Sequence, residues 1–257
     1  MIYDGMFHPT LPSDEDKDEV YFRELGRLFD ANGIAKSLAI NLPNINEHIS
    51  QTDYFRRVAK AERLYPVPCV ESQTLDDFAV EIMRYRDAGM RLLKIHPRTL
   101  GMTLNSPVIA GMLQIAREGN FGIILCTYPY SQQTLPGEVL HAPTILNEIV
   151  PRDLHVILAH GGVTQILEVC EWARTRPDTL LVDLSFTITQ LWNSSIRLDL
   201  HSIVHRFDRR VVLGSDYPYE SLASFSQNSA ELLEEINPAS AKLISMQNLE
   251  GFLEKLA

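Results

Sequence analysis

The chain has 257 residues, of which 45% are hydrophobic, so it contains ample core material for one large domain or two small ones. Its 23 Lys and Arg against 33 Asp and Glu give a formal net charge of −10. This acidity, without any basic stripe, argues against binding nucleic acid or an anionic membrane through bulk charge.

The cysteines and the apolar runs restrict the class of protein further. Cys69, Cys126 and Cys170 are far apart and form no Cys-x-x-Cys pair, which argues against a disulfide framework and a zinc knuckle. No apolar run reaches the length of a membrane span, and the first residues lack the pattern of a signal peptide. The default expectation is therefore a soluble protein of the cytoplasm.

Eight short apolar runs predict β-strands, and a stretch with helical spacing follows each one. The predicted strands cover residues 2–6, 37–41, 67–71, 91–96, 122–126, 155–160, 179–185 and 210–214. The predicted helices cover residues 20–29, 47–64, 75–89, 108–118, 138–149, 163–174, a stretch ending near 207, 222–236 and 239–256, the last broken near Asn248.

This regular alternation predicts a (β/α)8 TIM barrel. The apolar runs are nearly continuous, which is typical of parallel strands covered on both faces. A doubly wound open sheet is the alternative, but the chain has no Gly-x-Gly-x-x-Gly or Walker loop. We found no repeat or linker, so a single domain over residues 1–257, closed by C-terminal helices, is the simplest organisation.

Polar residues follow almost every predicted strand. In a barrel the carboxyl ends of all strands meet at one face, where reactive groups gather. We therefore expect these side chains to share a site: Asp4, Met6 and His8, then Asn41, Glu71, Lys94, His96, Cys126, Tyr128, His160, Asp183, Ser185 and Asp216. Two further histidines, His201 and His205, stand one helical turn apart and are expected on the outside of the barrel.

Five motifs at these strand ends resemble the amidohydrolase superfamily, specifically its amidohydrolase-2 branch, in an order and spacing that cover essentially the whole chain. They are DGMFH (4–8), LKIHP (93–97), ILAHGG (157–162), VDLS (182–185) and LGSDYP (213–218). The resemblance implies a divalent metal at the barrel mouth, held by two His after strand one, a His after strand five and the Asp after strand eight. A His after strand six would be a ligand or would polarise the substrate.

Carried over residue by residue, the resemblance gives metal or catalytic roles to His8, His160 and Asp216. Met6 and Cys126 stand where two further His ligands are expected. A thioether is a weak ligand, whereas Cys126 could bind zinc as a thiolate or be an inert small hydrophobe. The expected cofactor is one divalent metal, Zn or Mn, held by His8, His160, Asp216 and Cys126, or else none.

The first functional hypothesis is hydrolysis of a small carboxylated or cyclic ester, lactone or amide by water that Asp216 activates. His160 would polarise the carbonyl and His8 would orient the water. Lys94 or His96 would bind a carboxylate, Ser185 would line the pocket, and a long loop carrying Tyr128 and Tyr130 would form a lid.

Two alternatives stay open. The same site could catalyse decarboxylation, which the amidohydrolase-2 branch also contains. A barrel that has lost catalysis could instead bind a ligand or a partner, because Met6 and Cys126 make the pocket more apolar. A small-molecule substrate is the expected partner in the enzymatic cases, and a homo-oligomer remains open.

Overall fold

The computed structural model describes residues 1–129, 141–176 and 179–256. Within them, eight parallel strands alternate with helices, so that each strand is followed by at least one helix. The strands are β1 (Ile2–Phe7), β2 (Ile34–Asn41), β3 (Leu64–Pro68), β4 (Leu92–Ile95), β5 (Gly122–Cys126), β6 (Val156–Ala159), β7 (Leu180–Asp183) and β8 (Val211–Val212).

The α-helices of the described residues cover the outside of the strands and one end of the barrel. They are α1 (Asp18–Ala31), α2 (Gln51–Val58), α3 (Leu75–Asp87), α4 (Pro107–Glu118), α5 (Ala142–Ile149), α6 (Ile166–Ala173), α7 (Thr187–Gln190), α8 (Ile196–Arg206), α9 (Leu222–Glu234), α10 (Pro238–Lys242) and α11 (Asn248–Glu254). None of them is both long and apolar enough to cross a membrane.

The strands close into a ring. Parallel pairing gives two sheets, with strand orders β1-β2-β3 and β4-β5-β6-β7-β8. Backbone hydrogen bonds join their edges on both sides, from Val70 N to Lys94 O (2.9 Å) and from Gly5 N to Leu213 O (2.7 Å). The predicted (β/α)8 barrel is therefore confirmed, and the open doubly wound sheet is wrong because neither sheet edge is left free.

The predicted bounds fail most clearly between strands two and three. The helix expected over 47–64 is limited to α2, which begins after Ser50, whose side chain accepts from Asp53 N. The strand expected over 67–71 begins three residues earlier, because Tyr65 and Val67 pair with Leu38 and Ile40. Pairing with β2 therefore outweighs the local helical pattern near residue 64.

The barrel interior is packed and closed at its amino-terminal end. Side chains from the strands form a buried cluster with Leu249, Phe252 and Leu256 of the final helical segment. The break predicted near Asn248 is a π-helical turn, Leu243–Gln247, between α10 and α11. The final helical segment therefore covers this end of the barrel, and the predicted site residues lie at the opposite end.

Candidate active site

A cavity of about 350 Å³ opens at the carboxyl ends of the strands. It contains seven of the residues proposed from the sequence, brought together from β4, β5 and the segments after β1, β4, β5, β6 and β8. The lining residues are His8, Leu42, Asn44, Lys94, His96, Thr99, Cys126, Tyr128, His160, Phe186, Asp216 and Tyr219.

Asp216 and His8 face each other across this cavity. The turn after β8 gives Asp216 a left-handed φ of 57°, and its backbone N–H donates to Met6 O at 2.7 Å. Nε2 of His8 lies 3.3 Å from Oδ1 of Asp216, and Nδ1 of His8 lies 3.1 Å from Ile40 O. Since a carbonyl only accepts, Nδ1 of His8 donates to Ile40 O, and Nε2 faces the carboxylate, where a proton that the two groups share forms their hydrogen bond.

The surroundings set these two groups as proton acceptors. Burial is the largest effect on His8 and lowers its pKa, although the Asp216 carboxylate opposes the shift. Burial would raise the pKa of Asp216, but the charge of His160 and the hydrogen bond with His8 outweigh it and lower the pKa. His8 is therefore a neutral imidazole beside the carboxylate of Asp216, and the pair can take up one proton.

His160 lies on a strained turn after β6. Four consecutive residues have positive φ: His160 (64°), Gly161 (54°), Gly162 (74°) and Val163 (58°). Glycine adopts this region freely, but His160 and Val163 do not, and such strain is typical of functional sites. The turn directs the imidazole into the cavity instead of along the strand.

A relay of polar side chains fixes the His160 ring. The Ser185 hydroxyl donates to Oδ2 of Asp183 and accepts from Nδ1 of His160, which lies 2.9 Å away. Burial would lower the pKa of His160, but the Asp216 carboxylate and the hydrogen bond with Cys126 outweigh it and raise the pKa. His160 is therefore the proton donor of the cavity, and His8 and Asp216 are its proton acceptors.

Cys126 lies between two imidazoles at the end of β5. Burial opposes its ionisation, but the charge of His96 and hydrogen bonds with His160 and His96 outweigh that effect and lower the pKa of Cys126 well below its usual range. His96 does not belong to β4. It caps the short 3₁₀ helix Pro97–Leu100 with Nδ1, which accepts from Thr99 N at 3.3 Å.

Lys94 contributes the cation of the cavity. The residue is 1% exposed, and its Nζ lies 3.1 Å from Sδ of Met6. The ion pairs formed between described residues do not include Lys94. Its charge nevertheless reaches the acid–base groups, because it is among the causes that lower the pKa of His8 and the pKa of Asp216.

The other predicted residues differ in where they lie relative to the cavity. Tyr128 lines the cavity and packs edge-to-face on His160 (centroids 6.0 Å apart) and on Phe186 (5.1 Å). Ser185 is fully buried behind His160 and does not line the cavity.

Three other candidates do not belong to the cavity as the structure describes it. Glu71 is exposed and does not line the cavity, and Tyr130 lies outside the described residues. His201 of α8 is placed away from the site, with Nδ1 2.6 Å from Oε2 of Glu235.

One supporting carboxyl was not assigned a role from the sequence. Asp4 accepts from Met6 N (3.0 Å) and Ser215 N (2.8 Å) through Oδ1, and its Oδ2 lies 2.6 Å from Ser215 Oγ. It therefore ties β1 to the residue before Asp216. Burial raises the pKa of Asp4 to about 7, despite these hydrogen bonds. The only signal in the sequence was the motif position, since spacing alone does not reveal the pairing with Ser215.

The donor set does not fit the expected zinc or manganese ion. Among the described residues, no group of three or more His, Cys, Asp or Glu side chains is placed to hold a metal. The thioether of Met6 contacts the ammonium of Lys94, and Cys126 is engaged by two imidazoles. A weak soft donor beside a fixed cation is unsuited to either metal, so we derive no step through one.

The chain matches no family model and no curated relative. Solved structures match over almost its whole length. An uncharacterized TIM-barrel protein from Bordetella bronchiseptica shares 19% identity, with a TM-score of 0.77 and 99% of each chain covered. The 5-carboxyvanillate decarboxylase of Sphingomonas paucimobilis shares 14%, with a TM-score of 0.61 and 98% of each chain covered.

A third structure is described as a probable 2-pyrone-4,6-dicarboxylic acid hydrolase from Acinetobacter baumannii, with citric acid bound. It shares 14% identity, with a TM-score of 0.62, and the match covers 98% of this chain and 99% of the other. The chain therefore has the TIM-barrel fold of these proteins. The amidohydrolase resemblance carried by its motifs is confirmed at the level of that fold.

Proposed function

We propose that this protein is a hydrolase of small carboxylated substrates with a cyclic ester, lactone or amide bond, and that Asp216 activates the attacking water. The observation that carries the proposal is the shared cavity in which Asp216 and His8 face His160. Its volume of about 350 Å³ suits a small molecule. Two of the matched structures are named for carboxylated aromatic or pyrone substrates, which supports the substrate class.

The protein groups supply each proton transfer of the proposed reaction. Water hydrogen-bonded to Asp216 and to Nε2 of His8 loses a proton to Asp216 as its oxygen attacks the carbonyl carbon. The imidazolium of His160 donates a hydrogen bond to the carbonyl oxygen, where negative charge develops, and keeps its proton throughout. When the tetrahedral intermediate collapses, the bond to the leaving oxygen or nitrogen breaks and the leaving group takes the proton from Asp216.

Other cavity residues orient the substrate in this scheme. Lys94 and His96 hold its carboxylate, while Tyr128 and Phe186 present aromatic surface to a flat ring. Ser185 acts indirectly, because it holds the His160 ring instead of touching the substrate.

Decarboxylation on the same site is the second candidate. The cavity that contains His160 is also lined by apolar side chains, which include Leu42 and Phe186. Apolar surroundings disfavour a carboxylate and favour its loss as CO₂, and His160 would then protonate the resulting carbanion. The opposite protonation preferences of His160 and Asp216 make a purely binding role the weaker explanation, because catalysis needs such a pair and binding alone does not.

The proposal is tested by screening purified protein, without added metal, against pyrone and lactone carboxylates, esters of small acids and hydroxybenzoates. A ring-opened or hydrolysed acid identifies the hydrolase, whereas release of CO₂ identifies the decarboxylase. For any substrate found, Asp216→Asn should lower kcat by about 10²–10⁴-fold.

The matched control is Asp87→Asn, which changes an exposed carboxylate at the end of α3 and should leave kcat unaltered. Turnover that Asp216→Asn leaves unchanged would remove Asp216 as the base.

A further inference from the structure

The ammonium of Lys94 is buried without the partner that a buried cation normally has. Lys94 is 1% exposed, and the ion pairs formed between described residues do not include it. Its only hydrogen-bond acceptor among them is Sδ of Met6, at 3.1 Å. Burying a charge with so weak a partner is unfavourable, so the position calls for a ligand that completes the site.

Two N–H bonds of Lys94 remain for such a ligand. An ammonium has three donors, and the sulfur of Met6 accepts one of them. Lys94 also lines the cavity, so the remaining donors have access to its contents. A carboxylate, or the oxygen of a carbonyl that becomes negative during a reaction, matches this charge and donor number.

Met6 explains how a cation can be accommodated at this place in the barrel. It lies near the end of β1, at the position where the resemblance implies an imidazole that binds a metal. A neutral thioether can lie against an ammonium without adding a positive charge beside it. A metal ion held at the mouth would instead repel Lys94 strongly, because two like charges within a few ångströms are costly in a dry cavity.

We infer that the Lys94 ammonium is the resident cation of this site, that it takes the place of a divalent metal, and that it binds the carboxylate or developing oxyanion of a small ligand. The carboxylate-binding part of the inference rests on the proposed function, in which Lys94 holds the substrate carboxylate, whereas the replacement of the metal goes beyond it. The readouts are anion binding and metal content, which remain measurable whichever reaction the protein catalyses.

Anion binding is measured by calorimetric titration of the full chain with phthalate. Wild-type protein should bind phthalate, and Lys94→Met should weaken the affinity by at least about tenfold, because the charge-assisted hydrogen bonds are lost. Lys36→Met, which removes an exposed lysine of β2, should bind as wild type does. Equal affinity in wild type and Lys94→Met would overturn the anion-binding role.

Lys94→Met is expected to fold, since an apolar side chain of similar length replaces a poorly paired buried charge. A circular dichroism melt run alongside checks this. Melting at or above the wild-type temperature supports the view that the ammonium is retained for ligand binding and not for stability.

The exclusion of metal is measured by elemental analysis after zinc is added and the unbound metal is removed by gel filtration. Wild-type protein should keep far less than one equivalent of zinc. The double variant Met6→His/Cys126→His should also keep little, because Lys94 remains. Adding Lys94→Ala to that double variant should allow about one equivalent, since the four-ligand set with His8 and Asp216 is then free of the cation.

Stoichiometric zinc in the wild-type protein would overturn the inference. The same conclusion would follow if the double variant bound zinc as fully as the triple variant, because Lys94 would then have no effect on the metal.

Discussion

Nδ1 of His160 lies 2.9 Å from Oγ of Ser185, and the Ser185 hydroxyl in turn donates a hydrogen bond to Asp183. This relay fixes the orientation of the His160 ring and places a proton on Nδ1, so that the opposite nitrogen is left for contacts within the cavity. The one histidine of the described residues that has a positive φ therefore also has a fixed ring orientation.

The relay predicts that Ser185 affects the rate and not substrate binding. Ser185→Ala should lower kcat by about 10–100-fold, as the loss of a group that orients a catalytic side chain typically does, with KM nearly unchanged. Steady-state kinetics on the substrate identified by the screen measure both constants. Ser194→Ala, an exposed serine that donates to Leu191 O, is the control. A raised KM with unaltered kcat would instead give Ser185 the substrate contact expected from the sequence.

The environment of Cys126 predicts a selectively reactive thiol. The two imidazoles lower the pKa of Cys126, whereas burial raises the pKa of Cys69 to about 12. Iodoacetamide near neutral pH should therefore modify Cys126 at least about tenfold faster than Cys69, because the thiolate is the nucleophile and the cavity gives access to it.

Peptide mass spectrometry of briefly treated, folded protein measures the two rates. His160→Gln should slow the modification of Cys126 and leave that of Cys69 unchanged. Comparable labelling of both cysteines in the native protein would contradict the assigned thiolate.

The close approach of β8 to β1 and β7 predicts that Gly214 tolerates no side chain. A Cβ at this position would lie 2.8 Å from Cβ of Met6 and 2.9 Å from Cβ of Ser185, and would collide with Oδ1 of Asp183. Gly214→Ala should therefore lower the free energy of unfolding by about 1–3 kcal/mol, since the backbone must shift.

Chemical denaturation measures this change. Gly251→Ala is the matched control, because a Cβ there meets nothing within 4 Å and a helix gains up to about 1 kcal/mol from the exchange. Equal effects of the two substitutions would show that the contacts of Gly214 are not restrictive.

The burial of Asp4 predicts that it keeps a proton in the folded state up to about pH 7. Ser215 Oγ lies 2.6 Å from Asp4 Oδ2 and 3.0 Å from Met6 O, but it has one proton to donate. A protonated Asp4 donates to Ser215, which then donates to Met6. This arrangement satisfies both contacts, and burial independently raises the pKa of Asp4 to about 7.

This protonation makes stability depend on pH. The pKa of Asp4 is about 7 in the folded protein, against an ordinary value of 3.8. Between pH 3.8 and about pH 7, the folded protein therefore binds more protons than the unfolded chain. The free energy of unfolding should therefore fall as the pH rises through this window. Asp4→Asn keeps a hydrogen-bond donor and an acceptor at this position but does not titrate. Its free energy of unfolding should therefore exceed that of the wild type by about 1–3 kcal/mol near pH 8.

Urea denaturation of both proteins near pH 5 and near pH 8 measures the difference, with Asp76→Asn on α3 as an exposed control. Parallel pH dependence in wild type and Asp4→Asn would mean that Asp4 is ionised in the folded state.

The sequence by itself determined the barrel and most of the residues around its mouth. Eight nearly continuous apolar runs, each followed by helical spacing, are consistent with few folds other than a ring of parallel strands. The carboxyl ends of such strands meet at one face whatever the details of packing. That is why His8, Lys94, His160 and Asp216 could be assigned to one cavity although the chain separates them widely.

Only the tertiary structure decided what these side chains do to one another. It placed Ser185 behind His160, set Asp4 against Ser215, and brought the ammonium of Lys94 to the sulfur of Met6 where a metal was expected. It also showed that the third strand begins three residues earlier than predicted, where its residues pair with those of β2. Hydrogen bonds and burial depend on the distance between segments far apart in the chain, and local sequence pattern contains no information about those distances.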